Sequence, residues 1–123
     1  MGKLLAIAFL LLGFSFSKEI TAFYNPNCEC CHKYFKILEK KGYKVKRIAV
    51  SPSELMSKKD ELGVPVNKRS CHTMIIGDKF VEGHVPVKGI EALLKDPKAR
   101  GVYSHHGVLS GRGAEEKTFE IIY

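Results

Sequence analysis

No internal repeat, low-complexity tract or linker interrupts the 123 residues of this chain. Repeat arrays and tethered domains are thereby excluded, and the length suits one small domain with a thin core. Extended apolar sequence is scarce as well. Residues 4–14 form one nearly unbroken apolar run after the basic segment Met1-Gly2-Lys3, short of a comfortable membrane span. Ser15-Phe16-Ser17 puts small residues before Lys18, so residues 1–17 read as a secretory signal peptide, with an uncleaved N-terminal anchor as the alternative. No cysteine stands at the cleavage point, so nothing indicates a lipoprotein. A mature chain of residues 18–123 is expected outside the cytoplasm, with no stable membrane insertion once the signal is removed.

Acidic residues are in the minority, 13 against 20 lysines and arginines, for a formal charge of +7. The lysines (Lys33, Lys36, Lys40, Lys41, Lys44, Lys46, Lys58, Lys59, Lys68, Lys79) are scattered rather than gathered beside aromatic residues. With export expected, nucleic acid is not a partner. The excess reads as a solvated basic surface attracted to acidic partners.

The apolar and turn-forming residues then set out the elements. Residues 20–24 are a short β-prone run ended by Asn25-Pro26-Asn27. A helical period begins at Cys28, with Cys31, Phe35 and Leu38 on one face, and Lys40-Lys41-Gly42 closes it. Residues 43–50 alternate as a second strand, and Ser51-Pro52-Ser53 opens a helix over residues 54–62. Residues 71–76 and 79–84 are strands joined by a two-residue Gly77-Asp78 turn. Pro86 begins another helix, stopped at Asp96-Pro97. Residues 101–113 hold four glycines and read as loop, and residues 118–123 as a last strand. The order is that of an α/β, thioredoxin-like β-α-β-α-β-β-α domain with a C-terminal loop and terminal strand. In such a domain the first βα turn is a natural place for chemistry.

Cysteine is sparse, four residues, but three of them fall in the stretch NPNCECCHKY at that turn. Cys28 and Cys31 have the CxxC spacing at a helix start, where the helix N-terminus favours a thiolate. Cys30 adds a third sulfur. One structural disulfide with a buried thiol is the plain alternative, although adjacent Cys30 and Cys31 suit an ordinary disulfide framework poorly. His32 either joins the group or is an exposed helix residue. In the hairpin, Ile76 opposes Lys79 and the pairing runs back through Met74 and Val81 to Cys71 and His84. Opposed residues share a face, so Cys71 and His84 are expected to converge on the first turn. His72 and Met74 alternate onto the other face, Met74 as core, while Glu82 falls with Cys71 as a partner for a histidine. His105 and His106 are either further ligands or exposed residues.

Thiolates with imidazole favour Cu(I), zinc or an iron–sulfur centre over hard cations. Zinc usually shows two separated CxxC pairs, and no second pair exists here. Iron–sulfur ligation wants more open spacing than Cys30-Cys31. Adjacent cysteines can bridge several Cu(I) ions, so copper leads. Two other readings stay open. One is a thiol–disulfide oxidoreductase using Cys28 and Cys31, against which no proline stands just before the third strand. The other is a zinc-stabilised structural module.

Cys28-Glu29-Cys30-Cys31, Gly63-Val64-Pro65, Ser70-Cys71-His72-Thr73 and Glu82-Gly83-His84-Val85-Pro86 occur in the order of a bacterial family of predicted metal-binding proteins. The chain resembles that family, which includes the CopG-type copper-resistance proteins of the periplasm. The resemblance implies a periplasmic thioredoxin-like domain that binds copper as a multinuclear cluster and exchanges electrons with it. Its partners would be copper ions and other periplasmic copper-handling proteins. Cys28, Cys30, Cys31 and Cys71 match the family's thiol positions and His84 its EGHVP histidine. The family commonly carries methionines in its tail, whereas residues 103–113 here have none, so His105 or His106 is expected to stand in for them. The expected metal ligands are thus Cys28, Cys30, Cys31, Cys71, His84, His72 and His106.

Overall fold

A computed structural model describes residues 19–104 and 119–123. The expected signal peptide and the pair His105-His106 lie outside the described residues. The elements are β1 (Glu19–Tyr24), α1 (Glu29–Lys40), β2 (Lys44–Ala49), α2 (Pro52–Leu62), a 3-10 turn (Val66–Lys68), β3 (His72–Ile76), β4 (Lys79–Gly83), α3 (Val87–Lys95), β5 (Gly101–Ser104) and β6 (Glu120–Ile122).

The strands form one sheet in the order β2-β1-β3-β4-β5-β6. β1 runs parallel to β2 and antiparallel to β3, and β4 returns antiparallel to β3. That is the thioredoxin-like arrangement. The hairpin register is the expected one, with Ile76 opposite Lys79 and Met74 opposite Val81, because Gly77 takes the positive φ of 63° that the tight turn requires.

One expectation is corrected. Residues 101–104 are not loop but β5, parallel to β4, with Phe80 opposite Gly101. Gly101 is there for close approach: a Cβ on it would lie 2.4 Å from the Phe80 ring. A glycine needed by a packed neighbour looks, in sequence, like a glycine of a loop.

The helix after the first turn buries the face its periodicity marks. Asn25 Oδ1 accepts from the Asn27 amide and Asn25 O from the Cys28 amide, both at 3.0 Å, turning the chain into α1. Cys31, Tyr34, Phe35 and Leu38 then face the sheet. They pack with Ile20, Ala22, Met74, Val81, Val102 and the α3 residues Ile90 and Leu93. Burying side chains of this size contributes about 1.5–3 kcal/mol each. α2 starts with a Ser51–Glu54 capping box and covers the opposite face, near a smaller cluster of Val64, Phe80 and Ile122. Among the described residues no helix is long and apolar enough to cross a membrane.

This topology places the site. Tyr24, the last residue of β1, pairs with His72, the first of β3. The first βα turn and the start of β3 are therefore neighbours, and the end of β4 lies beside them.

Candidate metal centre

Four sulfurs and two imidazoles meet at that corner. Cys28 Sγ lies 2.9 Å from Cys71 Sγ and 3.3 Å from Cys30 Sγ. Cys31 Sγ lies 3.3 Å from Cys71 Sγ and 3.4 Å from His72 Nδ1. All four cysteines are free thiols, with Cys31 buried and the others partly so. The donor atoms of Cys28, Cys30, Cys31 and Cys71 lie within 4.8 Å of one another, as do those of Cys31, Cys71, His72 and His84. The two quartets share the Cys31–Cys71 edge. A ligand set of this softness and spacing is compatible with metal binding, and the shared edge gives room for more than one ion.

The histidines are oriented by their surroundings. His72 Nε2 sits 3.0 Å from the Gly83 carbonyl, which only accepts, so Nε2 carries a proton and Nδ1 is the nitrogen turned to Cys31. Fixing one ring nitrogen on a carbonyl to free the other is how ligating histidines are commonly held. The His84 ring stacks on His72 at 5.2 Å and lies against Tyr34, whose hydroxyl donates to Val85 O at 2.6 Å. His84 Nε2 is buried and has no hydrogen-bond partner among the described residues. An orphaned buried nitrogen costs about 1–3 kcal/mol, a cost that a bound cation would remove. A cavity of about 240 Å³, lined by Cys71, His84, Arg69 and Ser104 among others, opens at this corner.

Cys71 and His84 do arrive at the first turn, but not by strand alternation. Thr73 and Glu82 are opposed and both face α2, hydrogen-bonded to each other at 2.6 Å and to Lys59. Unbroken alternation would send Cys71 and His84 to that same side. Instead Cys71 precedes β3 in a bend, and Gly83, at φ 84°, ends β4 before His84. Both chains lose phase at one level, so His72 is on the cluster side with Cys71 rather than opposite it. Glu82 is correspondingly not a histidine's partner; it is buried with Lys59 and Thr73 and accepts from the Ser70 amide. Met74 is fully buried core, as expected. His32 stays out of the group, 5.0 Å from the Tyr24 ring and with Nδ1 facing Arg47.

The electrostatics relocate the activated thiol. Cys28 is the N-cap residue of α1, yet burial outweighs the helix terminus and pushes its thiol up to about 12. Cys31 is pushed well up by the hydrogen bond with Cys71 and then by burial. Cys71 is held well below the ordinary thiol range, first by the hydrogen bond from Cys31 and then by His72 and His84. The three directions describe one arrangement, in which a Cys71 thiolate accepts from two neutral thiols.

Comparison with known proteins gives the site a context. The family described as "Protein of unknown function, DUF411" matches residues 68–106, the segment that carries Cys71, His72 and His84. No curated protein sequence matches the chain. Two solved structures are similar to it, those of copper resistance protein copG in forms 1 and 2. Form 1 is 34% identical, with a TM-score of 0.70 over 80% of this chain and 77% of that chain. Form 2 is 36% identical, with a TM-score of 0.68 over 80% and 77%. At that identity over most of both lengths, and with the same fold, the chain belongs to the family of copper resistance protein copG.

Proposed function

We propose that this protein binds Cu(I) as its cargo, in the periplasm, and acts in copper handling or resistance. The observation that carries the reading is the pair of soft-ligand quartets sharing Cys31 and Cys71. Cys28, Cys30, Cys31 and Cys71 supply the thiolates, with His72 Nδ1 and His84 at the inner end. Shared thiolates bridge adjacent Cu(I) ions, so the cargo is a small cluster rather than a single ion. Zinc or an iron–sulfur centre fits this spacing less well. The similar structures carry copper resistance in their names, which supports the choice of metal.

His106 is proposed as a further ligand. Ser104, the residue before His105 in the sequence, lines the same cavity as Cys71 and His84. Export by residues 1–17 delivers the domain, residues 18–123, to the compartment where such a site is needed. The partners are copper ions and other periplasmic copper-handling proteins, drawn by the basic surface.

Electron exchange through the bound copper is a second activity consistent with a soft, mixed thiolate–imidazole site. A thiol–disulfide exchange enzyme using Cys28 and Cys31 is the weaker alternative. Exchange needs an activated attacking thiol, and Cys28 is pushed the other way. Anaerobic Cu(I) titration of the reduced protein, with metal analysis, tests the reading. Tight binding of more than one Cu(I) per chain supports it, and insulin reduction without copper binding sinks it.

A further inference from the structure

Behind the cluster, on the α2 face of the sheet, lies an ion pair that neither ligates nor touches solvent. The Lys59 and Glu82 side chains are 1% and 0% exposed. Lys59 Nζ donates to the Glu82 carboxylate, to Thr73 Oγ1 at 2.6 Å and to the His72 carbonyl at 3.1 Å, which uses its three protons. Glu82 Oε1 accepts from Thr73 Oγ1 at 2.6 Å. Its Oε2 accepts from the Ser70 amide at 2.6 Å and lies 3.0 Å from Ser70 Oγ. Ser70 Oγ is also 2.8 Å from the His72 carbonyl. Every partner in this network belongs to Ser70, His72 or Thr73, the residues on either side of Cys71.

A buried ion pair is a poor stabiliser, since an apolar pair of the same volume often does as well or better. What this pair does supply is position. In an extended strand, consecutive side chains point to opposite faces, so Cys71 and His72 cannot both face α1. Here they do. Thr73 faces α2 and His72 faces α1, as alternation requires; then Ser70 is drawn back to the α2 face by Glu82, and Cys71 swings to the cluster. The phase is lost where the Glu82 carboxylate takes the Ser70 amide.

We propose that Lys59 and Glu82 are positioning residues of the metal centre: from the far face of the sheet they pin Ser70, His72 and Thr73, and so turn two consecutive residues, Cys71 and His72, toward the cysteines of α1. The inference deepens the metal-binding reading and rests on it for its purpose, but its geometry is testable without metal. The probe is diamide, which takes two hydrogens from two thiols, joining them as a disulfide while it is reduced to the hydrazine. Metal-free, fully reduced protein is treated briefly, and the disulfides are mapped by peptide mass spectrometry.

In the native protein the main product is Cys28–Cys71, the nearest pair. In Lys59→Met that product falls at least about tenfold against disulfides within residues 28–31, and Cu(I) affinity falls by about tenfold or more. Lys59→Met/Glu82→Met has neither a buried charge nor an acceptor for the Ser70 amide, and carries the same measurement if the single variant does not fold. It too loses the Cys28–Cys71 product. Leu55→Ala, which only thins the core beside Lys59, lowers stability without changing the disulfide pattern. A folded Lys59 variant with the native yield of Cys28–Cys71 overturns the proposal. Failure of the native protein to bind Cu(I) sinks the copper reading alone, because the cross-linking arm contains no metal.

Discussion

The Cys71 thiol lies 2.9 Å from that of Cys28, closer than Cys30 at 3.3 Å, although 43 positions of sequence separate the first two. Cys71 is thus the hub of the site rather than an outlying fourth cysteine. Together with Cys31 it belongs to both soft-ligand quartets, whereas Cys30 belongs to one. Cys71→Ser should therefore weaken Cu(I) binding by about 100-fold or more and lower the number of ions held, with Cys30→Ser milder. Competition against a Cu(I) chelator measures both. Equal losses would contradict the shared-edge arrangement.

Loading should release protons. Cys28, pushed up to about 12, and Cys31, pushed further up, are neutral thiols at pH 7, while Cys71 is already the thiolate. A metal that takes Cys28 and Cys31 as thiolates must expel both protons. Its apparent affinity then rises with pH, by at least about two log units per pH unit between pH 6 and pH 8. Proton release in weakly buffered solution, or chelator competition across pH, reads the slope. A flat profile would mean that these thiols are not ligands.

Gly83 should resist substitution. It stands at φ 84°, and a Cβ there would lie 2.1 Å from the Ser104 carbonyl oxygen. Gly83→Ala combines left-handed strain with a backbone clash and should cost about 3 kcal/mol or more, seen as a lowered denaturation midpoint. His84 follows directly, so the variant that remains folded should also bind copper less tightly.

Tyr34→Phe isolates a smaller effect. It removes the hydroxyl that donates to Val85 O at 2.6 Å beneath the His72 and His84 rings. The loss should be about 1–2 kcal/mol, since the Val85 carbonyl is left in a buried site. Chemical denaturation checks it, and an unchanged midpoint would show that the carbonyl finds another donor.

The turn, the hairpin and the α1 face were legible in the sequence because each rests on local chemistry. Gly77-Asp78 sets the hairpin register, and Cys31, Phe35 and Leu38 recur at helical spacing. What was not legible depends on contacts across the sheet. Alternation carried through Gly83 and Ser70 puts His72 opposite Cys71 and Glu82 beside it, because neither the positive φ nor the Ser70–Glu82 bond has a one-dimensional signature. β5 was lost among the glycines of residues 101–113, since Gly101 answers to Phe80 and not to a turn. Lys59 was hidden among scattered lysines. Its one local signal is its place between Leu55 and Leu62, at four- and three-residue steps along the inward stripe of α2.

The measurement that bears most directly on the central claim is copper X-ray absorption on protein titrated anaerobically with Cu(I), alongside total metal per chain. Shared thiolates require more than one Cu(I) per chain, a first coordination sphere dominated by sulfur with a nitrogen contribution, and a copper neighbour at short range. A single ion with no copper neighbour would contradict the bridged arrangement. Preferential retention of zinc, or no tight binding of Cu(I), would contradict the copper assignment itself.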